Sequence, residues 1–587
     1  MKKSTKVMAL LCSALFAFSS LAACGVGGDG GDIGGGNNQT VDENTIVVKV
    51  RKAGFGTDWL YALKNKFEAA YAEEGYKVKI LTPDNSIKDD LVVKEMALGY
   101  NKVGVDLYIT SGITPDTVGV NGDYGELVED LSETVYNQKA INYNGEEEAQ
   151  TVEEKVGQDV MSFMTDAEGK KYAYCWAQTS GGLVVNTVKL ARYGIEAPKT
   201  TNEMFDAFEQ IYIGNDKVKG SMTSGTYPIT YVSGGNGYGV TFLYAMLAQY
   251  DKEYFETLFS FQEKDETGAY VNLPDEECQT LYNDEAMLEM LNIAYRTFDP
   301  AIAAPGSTSQ TVDQAQAKIM GDIRDGAVFM FNGDWMLNEV KLNYSKELPN
   351  IDFINFPVNS AIGKKLFGAG TTYGLDEVAC DELLSAIIDY VDENMEIADI
   401  VAKIKADKNI TLAEEDALQV ANARGLTYSR GMEHVAYVVK GTTKKDIASL
   451  FLRMMSSDDY GATFNELGNG ASPYCAQENT TSPYVFVRNA SKITANKYFS
   501  FVSLFGGVRG YRRRLNLQSF FTTVSHIPDY IAEKSTASIY TMDGKLKDDG
   551  TTLQAYVDAA SKLQKSESDN IVKNWEKWLK AAGLATN

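Results

Sequence analysis

Ile46-Val47-Val48-Lys49-Val50, then Gly54-Phe55-Gly56-Thr57-Asp58, then Trp59, Leu60, Leu63, Phe67, Ala70 and Tyr71 at helical spacing form the stretch that decides the fold class. The first run is β-branched and reads as a buried strand. The second is a turn that supplies a helix N-cap. The third is the apolar stripe of an amphipathic helix. Gly75 stands where a C-terminal glycine ends one. Two more β-rich runs follow at 78–81 and 103–110, the latter closed by Ser111-Gly112. Strand, helix and strand at this spacing make a βαβ unit with a parallel sheet, so the chain is predicted to be α/β.

The pattern continues downstream. Residues 171–176 and 182–186 read as strands, and a helix starts after Pro198, with Thr200 and Glu203 at capping-box spacing. A short apolar strand at 327–331 turns through Asn332-Gly333-Asp334 into a helix near Trp335. Residues 445–456 read as a helix with Ile447, Leu450, Phe451 and Met454 facing inward.

The chain has 587 residues, 44% of them hydrophobic and 23% charged. That composition excludes wholesale disorder, a collagen and a polytopic membrane protein. A net charge of −25 argues against a phosphate-backbone partner, so no nucleic acid is expected. Only His434 and His526 occur, which argues against a multi-histidine metal site; no metal and no cofactor is expected.

Lys2, Lys3 and Lys6 precede a short apolar stretch and then Leu21-Ala22-Ala23-Cys24. The apolar stretch is too short to span a bilayer, so residues 1–23 read as a secretory signal to be left out of the fold. The cysteine after Leu-Ala-Ala resembles the bacterial lipobox, which implies cleavage before Cys24 and a lipid on its sulfur. Losing three lysines and no acids would take the net charge from −25 to −28. Residues 25–36, with eight glycines, make 24–45 a flexible tether. Of the remaining cysteines, Cys175, Cys278, Cys380 and Cys475, no two form a C-x-x-C motif. One or two disulfides and four scattered thiols are both open readings.

Five blocks, in order, resemble the extracellular solute-binding proteins of ABC importers, the maltose-binding-protein-like class. They are the strand–turn–helix around Gly54 and Trp59; Val105-Asp106-Leu107-Tyr108-Ile109; Gly169-Lys170-Lys171-Tyr172-Ala173-Tyr174 with Gly182-Leu183-Val184-Val185-Asn186 and Pro198-Lys199-Thr200; Gly326-Ala327-Val328-Phe329-Met330-Phe331-Asn332-Gly333-Asp334-Trp335; and 448–457 leading to Gly470-Ala471-Ser472-Pro473-Tyr474. The second block lacks the family's proline. The resemblance implies a type II, periplasmic-binding-protein-like fold: two α/β lobes joined by a hinge of crossing strands and closing on a ligand in the cleft. Lobe one would be 46–172 with 433–480, and lobe two 173–367 with 481–587. About sixty residues, 374–432, have no counterpart in the family pattern. They look helical, with Thr411 and Glu414 capping a helix, and would be a decoration near the hinge or a cap over the cleft.

The same resemblance implies a function. A lipid-anchored receptor on the outer face of a bacterial membrane would capture a carbohydrate, an oligosaccharide above all, and present it as a monomer to an ABC permease. It would not be an enzyme. Sugars offer C–H faces for aromatic rings and hydroxyls for carboxylates and amides. On the family pattern, Trp335 with Asp334 lines the cleft, and Trp176, Gln178 and Thr179 form its lobe-two edge. Gly54 and Phe55 lie in the first β–α loop, at the strand edge where α/β sheets take ligands, and Ser111 ends a neighbouring strand. Asn236 and Tyr238 belong to a glycine-rich loop that lines the cleft or simply turns. Trp59, on the apolar stripe, reads as core, and Trp575 and Trp578 read as one face of a packed helix. Arg509, Arg512, Arg513 and Arg514 form a small basic cluster that reads first as a solvated face and otherwise as a contact for an anionic ligand group or the permease. Two alternatives remain: a lipid-anchored glycoside hydrolase, for which no motif stands in the sequence, and a receptor for a non-sugar solute such as a peptide.

Overall fold

Thr45–Val50 is the second of five strands in the first sheet. It pairs in parallel with Lys77–Leu81 on one side and Leu107–Ile109 on the other. The helix Asp58–Ala70 between the first two buries Trp59, Leu60, Leu63 and Phe67, so the expected βαβ unit is present. The helix starts at Asp58, but Thr57 makes no side-chain cap bond. The computed structural model describes residues 42–583 apart from 52–53, 82–88, 114–117, 120–125, 167, 220–225, 234–236, 322–324, 429–433, 503–525, 542–544 and 548–551. The leader, Cys24, the glycine run, Asn236 and the arginines of 509–514 lie outside the described residues.

Two strands of the first sheet are shorter than the sequence suggests. Within 103–110 only Leu107–Ile109 is strand, because Tyr100–Val103 forms a helical turn closed by Gly104 in the left-handed conformation. Within 171–176 only Tyr174–Cys175 pairs. The sheet is completed from far downstream: Val435–Val438 runs antiparallel to Leu107–Ile109, and Tyr174–Cys175 adds to its other side. Buried Asp106 joins these segments, accepting from Val47 N (2.8 Å) and from Thr442 Oγ1 (2.5 Å).

The second sheet has the order Ile351–Ile354, Gly181–Asn186, Ala327–Gly333, Tyr227–Thr230. Its first three strands are antiparallel and the last is parallel to its neighbour. The two central strands are buried along their whole length, as helices on both faces require. The largest apolar cluster surrounds this sheet. It includes the helix Tyr238–Tyr250 and the long helix Thr552–Ala581, whose Trp575 meets Phe261 edge-on.

Among the described residues three connections link the surroundings of the two sheets. The first crossing runs from Tyr174–Cys175 through Trp176 and Gln178 to Gly181–Asn186. The second leads from Leu426–Tyr428, where Thr427 Oγ1 donates to Gly181 O (2.6 Å), to Val435–Val438. The third leaves Ala471 and Ser472 for the helix Val485–Ala495, whose Phe486 packs on Phe353 of the second sheet. Gln178 N donates to Ala471 O (2.9 Å), binding the first and third crossings together.

Residues 374–432 hold three helices, Glu377–Asp392, Ile397–Lys408 and Glu414–Gly425, around an apolar cluster of their own. The expected Thr411 cap is not made. Thr411 Oγ1 takes Lys405 Nζ instead, and Ala413 stands at the N-cap without a side-chain bond. Side-chain bonds tie this bundle to the second sheet's surroundings. Thr200 Oγ1 donates to Asp381, and Arg424, which forks onto Asp392 (2.8 and 2.7 Å), also reaches Phe356 O. Thr200 also accepts from Glu203 N, but the Glu203 carboxylate returns to Lys199 N rather than Thr200 N, so the capping box is half made.

Cys175, Cys278, Cys380 and Cys475 carry thiols rather than disulfides, and the first three are buried. Among the described residues no helix is long and apolar enough to cross a membrane.

Candidate functional site

The strand Ala327–Gly333 ends at the boundary between the lobes and delivers Asp334 and Trp335 there. Gly333 makes the turn possible: a Cβ at that position would lie inside the Trp335 ring, 2.1 Å from Cζ3. The indole therefore folds back over its own strand end and stays partly exposed. It leans on Tyr238, the first residue of the helix Tyr238–Tyr250, with ring centres 5.8 Å apart. From the first lobe Gly54 meets it. A Cβ on Gly54 would stand 3.3 Å from Trp335 Cβ. One strand end, one helix start and one β–α loop thus bring together Gly54, Tyr238, Asp334 and Trp335.

The other expected residues fall into two groups. Phe55 (2% exposed) and Trp176 (1% exposed) belong to an aromatic cluster beneath the cleft. Trp176 lies flat on Trp59 at 5.1 Å, donates its Nε1–H to Thr110 O (2.9 Å), and takes the edges of Phe55, His434 and Phe464. Gln178 and the fully buried Thr179 lie in the first crossing, where the backbone of Gln178 is engaged with Ala471. Ser111, partly exposed, accepts Arg51 Nη1 at its carbonyl.

A second contact spans the lobes next to Trp335. Asn338 Nδ2 donates to Gly468 O (2.7 Å), and Asn469 Nδ2 donates back to Asn338 Oδ1 (2.8 Å). Asn469 can aim there because it ends the helix Asp458–Gly468 in the left-handed conformation. Between these contacts and the hinge lies a cavity of about 10 Å³, roughly one water in size, lined by Asp334, Asn465, Asn469, Gly470 and Ala471 and by the helix Val485–Ala495.

No protein-family model matches the chain, and no curated protein matches it. Solved structures do. The cyclic α-maltosyl-1,6-maltose binding protein from Arthrobacter globiformis is similar with a TM-score of 0.50 at 12% identity, over 89% of this chain and 99% of that one. A chitin oligosaccharide binding protein follows with a TM-score of 0.47 at 13% identity, over 89% and 99%. A Streptococcus pneumoniae solute-binding protein in complex with the blood group A-trisaccharide gives 0.45 at 14%, over 88% and 99%. The fold is that of the two-lobed solute-binding proteins.

Within this solute-binding fold the site's electrostatics are uneven. Asp334 is 4% exposed. Its Oδ2 accepts Ser180 N (3.1 Å), while Oδ1 has no hydrogen-bond partner among the described residues. Burial pushes the carboxyl up to about 8, against which the backbone bonds are too weak. His434 moves the opposite way: burial, with Arg51 nearby, lowers it to about 4, so its ring is neutral. Its Nδ1 is enclosed without a partner among the described residues. Among the described residues no group of three or more metal-ligating side chains is placed to hold an ion.

Arg51, Asn338, Asn469 and His434 were not singled out from the sequence. His434 carried a signal, as one of two histidines and directly before a crossing strand. Asn338 and Asn469 carried none, since their roles arise from two segments 131 residues apart.

Gly54 gives a direct test of the close approach. Gly54→Ala is expected to force Trp335 or the lobe contact to shift by a few tenths of an ångström. An overpacking cost of about 1 kcal/mol would weaken binding of the cognate solute roughly fivefold, with the thermal midpoint nearly unchanged. Calorimetric titration beside a melting curve separates the two, and unaltered affinity would show that the lobes do not need this approach.

Proposed function

We propose that this chain is a non-enzymatic receptor that captures a carbohydrate, an oligosaccharide above all, in the cleft between its lobes for import by an ABC permease. A lipid on Cys24 holds it, as a monomer, at the outer face of the membrane, and 25–36 give it reach. The observation that carries the reading is Trp335: an aromatic face held at a strand end, flanked by Tyr238, next to the buried carboxyl of Asp334, where the lobes meet. That is the pairing a sugar needs, a ring for its C–H face and polar groups for its hydroxyls. Gly54 and Ser111 would complete the first lobe's side of the cleft, Gln178 and Thr179 its hinge side, and Asn236 would be a further ligand-binding residue. Phe55 and Trp176 would support the floor. The names of the similar structures, which bind oligosaccharides, agree with this ligand class. Closure would bury the ligand and form the surface offered to the permease.

The test is calorimetric titration of the protein lacking residues 1–24 with malto-, chito- and xylo-oligosaccharides, with short peptides as a control series. Saturable binding to a sugar without turnover is expected. Binding confined to peptides, or release of reducing sugar, would overturn the proposal.

A further inference from the structure

The Asp334 carboxyl is enclosed at the seam between the lobes and has no charged partner among the described residues. Its own loop contributes backbone N–H groups, and the first crossing contributes Ser180 N. Facing it across the cavity, Asn465, Asn469, Gly470 and Ala471 come from the first lobe, and Val487, Ala490, Ser491 and Thr494 from the helix Val485–Ala495. None of these is ionisable. Arg488, on that same helix, turns away to Ser482 O. Glu339 nearby bonds Gln316 and does not line the cavity. A carboxylate closed into such a place exchanges bulk water for a few backbone N–H bonds and room for about one water, and meets no cation from the lining.

We propose that lobe closure in this protein is coupled to uptake of one proton by Asp334, so that closure is strongest in acid and weakens as the pH rises through neutrality. This goes beyond the ligand reading and does not depend on it. Closed, the carboxyl is held near 8 by burial. Open to water, it returns toward the ordinary value near ~4. The sign follows from linkage. The proton is bound more tightly in the closed form, so closure is fully favoured below the open-state value and loses up to about tenfold per pH unit as pH rises toward 8. Above 8 the dependence flattens.

Small-angle scattering of the ligand-free protein between pH 5.5 and 9.5 tests this. The radius of gyration should rise through a one-proton transition with its midpoint no higher than about 8, and Asp334→Asn should hold the acid-limit value throughout. Asn338→Ala, which removes the closed-state bonds to Gly468 and Asn469 but keeps Asp334, should move the midpoint to lower pH. A flat curve for the unaltered protein, or the same curve for Asp334→Asn, would overturn the proposal. Should Asp334→Asn fail to fold, the Asn338→Ala shift decides alone.

Discussion

Trp335→Ala is expected to reduce affinity for the cognate carbohydrate by roughly 100-fold, about 3 kcal/mol, while leaving the fold intact. The indole is a large apolar face that a sugar ring would cover, and its loss removes both the buried area and the ring-specific contact. Its position is held by Gly333 beneath it and Tyr238 beside it, so little conformational freedom is lost on binding. Because Trp335 is only partly buried, the thermal midpoint should move by no more than a few degrees. Trp335→Phe should recover part of the affinity. Calorimetric titration of the three forms against the same sugar gives the answer, and tight binding by Trp335→Ala would move the site elsewhere.

Trp59→Ala should have the opposite profile. Trp59 is fully buried, stacks on Trp176, takes the edges of Tyr460 and Phe464, and donates its indole N–H to Gly56 O (3.1 Å). Emptying that volume is expected to cost about 3–5 kcal/mol of stability. The loss reaches the site at second hand, through Trp176 and Gly468, so binding below the lowered melting temperature should weaken by much less than for Trp335→Ala. Chemical denaturation with tryptophan fluorescence measures the first effect and titration the second. A variant that melts normally but no longer binds would place Trp59 in the ligand's reach.

The contrast between these tryptophans bears on what could be read from residues alone. Trp59 was legible as core because its helix carries its own periodicity. The cleft reading of Trp335 rests on resemblance alone, since nothing local separates a tryptophan that faces solvent from one that fills a core. Trp176 shows the difficulty. It stands beside the expected cleft edge, yet its face is covered by Trp59 and its N–H is satisfied by Thr110, partners 117 and 66 residues away. The strands were legible where β-branched runs were long, at 46–50 and 182–186. They were overestimated at 103–110, where Gly104 closes a helical turn. The helical character of 374–432 was visible, but not the anchoring of those helices through Asp381 and Arg424.

The threefold passage of the chain also sets an order of assembly. Leu107–Ile109 obtains its antiparallel partner only from Val435–Val438, more than 300 residues later. A nascent chain that has made its first 430 residues can therefore pair at most the three parallel strands of this sheet, with the Leu107–Ile109 side still open. Such an edge is a template for pairing with another chain. Long-range pairing of this kind is slow to find, because loop closure comes before the contacts that reward it. The second sheet has no such wait, since its four strands all lie within residues 181–354. Strand pairing should therefore be complete in the second sheet before it is complete in the first, although the apolar cluster around the second sheet still waits for the helix Thr552–Ala581.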